Sequence, residues 1–244
     1  MAHFGAVYPD RQGYLIKELF LLLFPILSKS SIERLKIVSP FYNYLSEKEQ
    51  KEFRKRVVTF ITLHKFIPKG GIKITEELKI MVASIAVMLT FRLNDSEFIE
   101  FKNIIIYPTS YLSNKTNNYH KGETNPLYKA IVFSLEDLKE GITIVDDNIN
   151  LGIHEFTHAL HLIMLKDKTK ESKSFIADFN KITDYFKKNE DAIRATNYIR
   201  EYAFVNEHEL LAVITENYFE TPETFKKKLP IVFKHLNNMY KAYD

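Results

Sequence analysis

A His-Glu-x-x-His word inside an uninterrupted apolar run constrains this chain more than any other feature. His154-Glu155-Phe156-Thr157-His158 is surrounded by Leu151, Ile153, Leu160, Leu162 and Ile163, the pattern of a buried helix. Residues four apart on a helix stack on one face, so both imidazoles can grip a single ion. Zinc takes neutral imidazole nitrogens at about 2.0–2.1 Å, and a catalytic zinc keeps three protein ligands with a further position open to water. Glu155, beside the first histidine, is placed to accept a proton from that water. Eight histidines in the chain would produce the word by accident in roughly one such chain in fifty. An accident, however, has no reason to fall within an apolar helix.

Such a site must be completed without sulfur. The chain has no cysteine, which excludes disulfides and thiolate metal sites and leaves histidine and carboxylate as ligands. It also fits a cytoplasmic location. Basic and acidic residues number 34 and 31, a net charge of +3 that argues against nucleic acid as the main partner. With 244 residues, 45% of them hydrophobic, a sizeable core can form. No repeat, low-complexity tract or linker divides the chain, so the expectation is one domain over residues 1–244. Residues 1–100 should be mainly helical, and 101–244 should carry strands and the metal-binding helices. Within residues 15–27, Leu19 to Leu27 is too short to span a bilayer, which needs roughly 20 residues. It reads as a buried amphipathic helix, with contact to a membrane surface as the lesser alternative.

Several elements follow from local pattern. Ser46-x-x-Glu49 has the form of a capping box opening a helix through about His64, and Pro68-Lys69-Gly70-Gly71 reads as a turn. Glu76 and Glu77 favour the start of a helix whose stripe is Leu78, Met81, Val82, Ile85 and Leu89. Asn103–Tyr107, Lys129–Ser134 and Ile142–Val145 read as strands, and Thr109–Pro126 as a long polar loop in which His120 is most simply solvated. Phe175, Ile176, Phe179, Ile182 and Phe186 mark a further amphipathic helix. Helices with a few clustered strands make the fold class α+β.

Spacing alone leaves the third ligand open. Asn206 is a good helix N-cap, followed by Glu207 and Glu209 as first-turn acids. Glu209 and Glu216 stand seven residues apart and share a face, whereas His208 points elsewhere. His161, three residues after His158, extends the ligand face and is not excluded by geometry.

The words Asn150-Leu151-Gly152-Ile153-His154-Glu155-Phe156-Thr157-His158 and Asn206 through Phe219 resemble the Mlc titration factor A-like zinc peptidases, of gluzincin type. Phe66–Ile72, Ile106-Tyr107-Pro108, Phe133–Asp137, Pro222, Pro230 and Tyr240 are similar too, so the resemblance covers roughly residues 40–244. It implies a mostly helical zincin-like fold with a small mixed sheet beside the HExxH helix. It implies one zinc ion per chain on His154, His158 and Glu209, with Glu155 as general base. Tyr202, seven residues before Glu209, matches a tyrosine that the similar anthrax lethal factor catalytic domain places at the oxyanion. Glu216 would orient a metal-bound imidazole through its other N–H, and His161 stands nearby where family members commonly carry an acid.

The expected activity is zinc-dependent hydrolysis of peptide bonds, with an aminopeptidase acting on short peptides as the form the resemblance suggests. Substrate would pair with the strand Ala130-Ile131-Val132-Phe133 by β-augmentation. The alternative is a regulatory protein that sequesters a partner such as a transcriptional repressor, with little or no catalysis.

Overall fold

The computed structural model describes residues 27–93, 98–113 and 117–243. The amphipathic helix expected at Leu19–Leu27 falls outside these residues except for Leu27. The chain opens with helices α1 (Lys29–Val38), α2 (Pro40–Tyr44) and α3 (Glu47–Leu63), then strand β1 (Lys65–Pro68) and helix α4 (Glu76–Thr90). Ser46 caps α3 as its spacing predicts: its backbone N–H and its hydroxyl both donate to Glu49, at 2.9 and 2.6 Å. The turn between β1 and α4 holds Gly70 and Gly71 at φ +57° and +78°, a region that costs glycine little.

The sheet runs in the order β1, β2 (Asn103–Tyr107), β6 (Ala130–Ser134), β5 (Gly122–Asn125); the first three are parallel and β5 is antiparallel. Strands β3 (Tyr111–Leu112) and β4 (Tyr119–His120) form a separate antiparallel pair. The polar stretch Thr109–Pro126 is therefore not the open loop its composition suggests. Gly122 to Asn125 lack any apolar alternation and become a strand because β6 offers an unpaired edge, a tertiary cause that the local pattern does not carry.

Ile142–Val145 is a second departure. Helix α5 (Leu135–Thr143) covers its first half, and Ile144 and Val145 are exposed. The hydroxyl of Ser134 accepts from the Asp137 N–H at 3.3 Å, with Glu136 and Asp137 in the first turn, so helix initiation overrides a short β-branched run.

The second half is helical: α6 (Leu151–Lys166), α7 (Lys170–Ala195), a 3₁₀ turn (Glu201–Phe204), α8 (Glu207–Glu220), α9 (Pro222–Lys228) and α10 (Pro230–Tyr240). Pro222 and Pro230 each occupy a first helical position, where the missing N–H has no partner to lose. The architecture is α+β, mostly helical, with a small mixed sheet. Helix α6 lies at its centre, packed against α4, α8, β5 and β6. Phe156 and Leu160 of α6 are fully buried, and Phe156 lies against the rings of Phe60, Phe98 and Phe133. Helix α4 is buried around most of its circumference rather than along one stripe, because helices cover it on several sides. Among the described residues no helix is long and apolar enough to cross a membrane.

Candidate metal centre

Two capped helices bring the site together. Asn150 caps α6 by accepting from the Ile153 N–H at 3.0 Å, and Asn206 caps α8 by accepting from the N–H groups of His208 and Glu209 at 2.8 and 3.0 Å. Where α6 and α8 pack, His154 Nε2, His158 Nε2 and Glu209 Oε2 form a triangle. The two nitrogens are 3.0 Å apart, and the carboxylate oxygen lies 3.0 Å from His154 and 3.5 Å from His158. Donors on a tetrahedral ion with bonds of about 2.0–2.1 Å stand about 3.3 Å from each other, so the triangle has the size of a metal's coordination face. Among the described residues this is the one cluster of three such side chains that fits a metal ion. The donor set also fits: two imidazoles and a carboxylate form a catalytic zinc set, with no sulfur required.

The other nitrogen of His154 settles its orientation. Its Nδ1 lies 2.8 Å from Glu216 Oε1, which leaves Nε2 for an ion. Glu216 is 1% exposed and fully engaged: the Asn150 N–H donates to Oε2 at 2.7 Å, and the Arg200 guanidinium donates to Oε1. Burial alone would favour the neutral ring, but the carboxylates of Glu209 and Glu216 outweigh it and push His154 up to about 10. Burial likewise acts against the Glu209 charge, yet His154 and His158 hold its carboxyl well below the usual carboxylate range. An ion on Nε2 would replace the proton held there, while Glu216 keeps the one on Nδ1.

Glu155 points into a different niche. It is 5% exposed, and its carboxylate accepts from the Thr124 hydroxyl at 2.9 Å. Burial raises its pKa, while His154 and His158 oppose the rise. Strand β5 runs against it so closely that a Cβ on Gly122 would meet Glu155 Oε1 at 2.6 Å and Cγ at 2.8 Å. Tyr202, on the 3₁₀ turn, is 48% exposed and lies across the His154 ring with centroids 5.8 Å apart. Burial, then the Glu209 and Glu155 charges, raise its hydroxyl pKa.

The remaining sequence candidates are placed differently. His161 is buried away from the triangle against Phe179, with ring centroids 4.9 Å apart. Ala130–Phe133 cannot receive a peptide along its backbone, because β6 pairs with β2 on one side and β5 on the other; of the two edge strands, β1 and β5, it is β5 that lies against Glu155. Four residues near the site escaped the sequence reading. Gly122 and Thr124 sit in a polar stretch that shows no strand pattern, and Arg200 precedes the 3₁₀ turn with no motif around it. The fourth, Tyr111, is 8% exposed and its hydroxyl has no partner; burial, then the charges of Glu123 and Glu155, hold it far above the ordinary phenol range.

The family model described as glucose-regulated metallo-peptidase M90 matches residues 25–241, beginning earlier than the motifs alone indicated. Among curated proteins, Mlc titration factor A of Serratia proteamaculans is 19% identical over 223 residues, covering 83% of either chain. The protein of the same name from Yersinia enterocolitica is 20% identical, covering 83% of this chain and 82% of its own. An uncharacterized Synechocystis protein is 19% identical over 82% of this chain and 79% of its own.

Proposed function

The chain belongs to the glucose-regulated metallo-peptidase M90 family, and from that premise we propose that it is a zinc-dependent peptidase built as a single domain. The observation that carries the reading is the triangle of His154, His158 and Glu209 with Glu155 beside it. Zinc held by those three side chains would act as a Lewis acid towards the scissile carbonyl and lower the pKa of water towards about 7.

The chain's own groups supply the rest. Glu155, kept in place by the Thr124 hydroxyl at 2.9 Å, takes the proton of the attacking water and returns it to the leaving amine. The Tyr202 hydroxyl donates to the oxygen on which negative charge develops. The open edge of β5, lying against Glu155, takes the extended peptide by β-augmentation. Glu216 and Arg200 hold the His154 ring in the tautomer that leaves Nε2 unprotonated for the ion. The resemblance favours action on short peptides from their amino ends, and a cytoplasmic setting suits a chain without cysteine.

The test is Glu155→Gln, measured for bound metal and for cleavage of a panel of short peptides. Hydrolysis is expected to fall by about 10²–10⁴-fold with metal content unchanged. Undiminished cleavage by the variant, or absence of zinc from metal-replete wild type, would overturn the reading. The name Mlc titration factor A carried by relatives supports a second reading, in which the chain also holds a protein partner such as a transcriptional repressor. That reading expects partner capture to survive Glu155→Gln.

A further inference from the structure

A second histidine pair stands beside the first. His161, one turn beyond His158 on α6, and His208, the residue before Glu209 on α8, have ring centroids 5.0 Å apart. Two imidazoles on one tetrahedral ion, with bonds of about 2.0–2.1 Å, place their centroids about 5 Å apart. His154 and His158, in the candidate metal centre, are at 4.6 Å.

The chemistry of the pair matches its spacing. His161 is 5% exposed, and its Nδ1 makes no hydrogen bond, a rare condition for a buried polar atom. Phe179 closes against the ring at 4.9 Å. His208 is exposed, and its contacts are a backbone N–H bond to Asn206 and ring contacts with His158 and His161. One ligand is thus sheltered and one faces solvent, so an ion has a way in.

We propose that His161 and His208 form a second, weaker transition-metal site, completed by water. Imidazole suits Zn²⁺, Ni²⁺ and Cu²⁺, whereas Mg²⁺ and Ca²⁺ prefer oxygen donors. With two protein ligands instead of three, this site fills only after the first. The His208 and His158 centroids are 6.4 Å apart, so an ion at the second site adjoins a ligand of the first. Excess metal is therefore expected to slow turnover.

The test is metal stoichiometry of the full, tag-free chain, by equilibrium dialysis against Zn²⁺ and Ni²⁺ with elemental analysis. Wild type should bind one tight and one weaker equivalent. His208→Gln changes an exposed side chain and should weaken only the second equivalent, by about 10–100-fold, no less than loss of an outer hydrogen-bond partner costs a metal site. Glu209→Ala should lose the tight equivalent and keep the weaker one, whose Cu²⁺ form should show coupling to two imidazole nitrogens by electron paramagnetic resonance. A wild type that binds a single equivalent overturns the proposal. So does a second equivalent unaffected by His208→Gln, or one that disappears together with the first in Glu209→Ala. Because the two equivalents are counted separately, failure of the peptidase reading at the first site would not be mistaken for failure here.

Discussion

His154 and His161 lie two turns apart on one helix and are almost equally buried, at 8% and 5% exposure. Their protonation is pulled in opposite directions. His154 is driven up to about 10 against the effect of burial, and His161 is driven down to about 4 by it. Partners make the difference: His154 has a carboxylate on each nitrogen, and His161 has a phenyl ring and other histidines. Burial therefore only raises the stakes, and the nearest charged group decides the outcome. Two acids of α8 differ in their partners in the same way: the buried Glu216 accepts from three donors, while the half-buried Glu220 accepts from the Asn150 side-chain amide at 3.0 Å and has an unpartnered Oε2.

The severest way to break the contrast is Glu209→Ala, which removes one of the three metal donors. Elemental analysis should find near one metal per chain in wild type and little in the variant, an affinity loss on the order of 100-fold or more. Glu216→Gln is gentler, because it keeps the shape and removes the charge behind His154. Competition with a chromophoric chelator should show metal binding about 10–100-fold weaker. Gly122→Ala tests the niche of Glu155 instead of its charge. The added Cβ forces β5 and the carboxylate apart, so thermal unfolding should show a loss of about 1–3 kcal/mol, with a drop in peptide turnover at unchanged metal content.

The smallest effect is expected at Glu220. Burial, opposed by Asn150 and reinforced by Glu216 and Asp147, raises its pKa to about 8. Between its unfolded value and pH 8 the folded chain holds a proton that the unfolded chain has released, so stability declines as pH rises through that window. Glu220→Gln should flatten this decline in a series of melting temperatures from pH 5 to 8. An unchanged slope would place the titration elsewhere.

Much of this was legible in the chain. The HExxH helix, its Asn150 cap, the Ser46–Glu49 box and the Asn206 start of α8 are local signals, written within a turn or two of where they act. What was hidden depends on contacts between distant segments. Glu209, Glu216 and His161 were all open as ligands because helical spacing defines a face but not the helix it meets. Only the packing of α6 on α8 brings Glu209 to the histidines and leaves His161 with His208. Glu123 and its neighbours carry no strand pattern, so the open edge was assigned to the apolar run Ala130–Phe133, whose burial in fact marks an interior strand. Arg200 acts across the fold on Glu216, and nothing near it in sequence announces that.

Glu209 and Glu216 take hold of the two nitrogens of one ring from positions two turns apart on α8. This makes His154 a gauge of how one helix is seated on another. A slip of α8 by a single residue is about 1.5 Å along its axis, several times the few tenths of an ångström over which such bonds keep their strength. Substitutions buried in that seam and far from the ion should therefore register as lost metal occupancy while the helix content is still intact. In any survey of variants, bound metal would be the earliest readout of loosened packing.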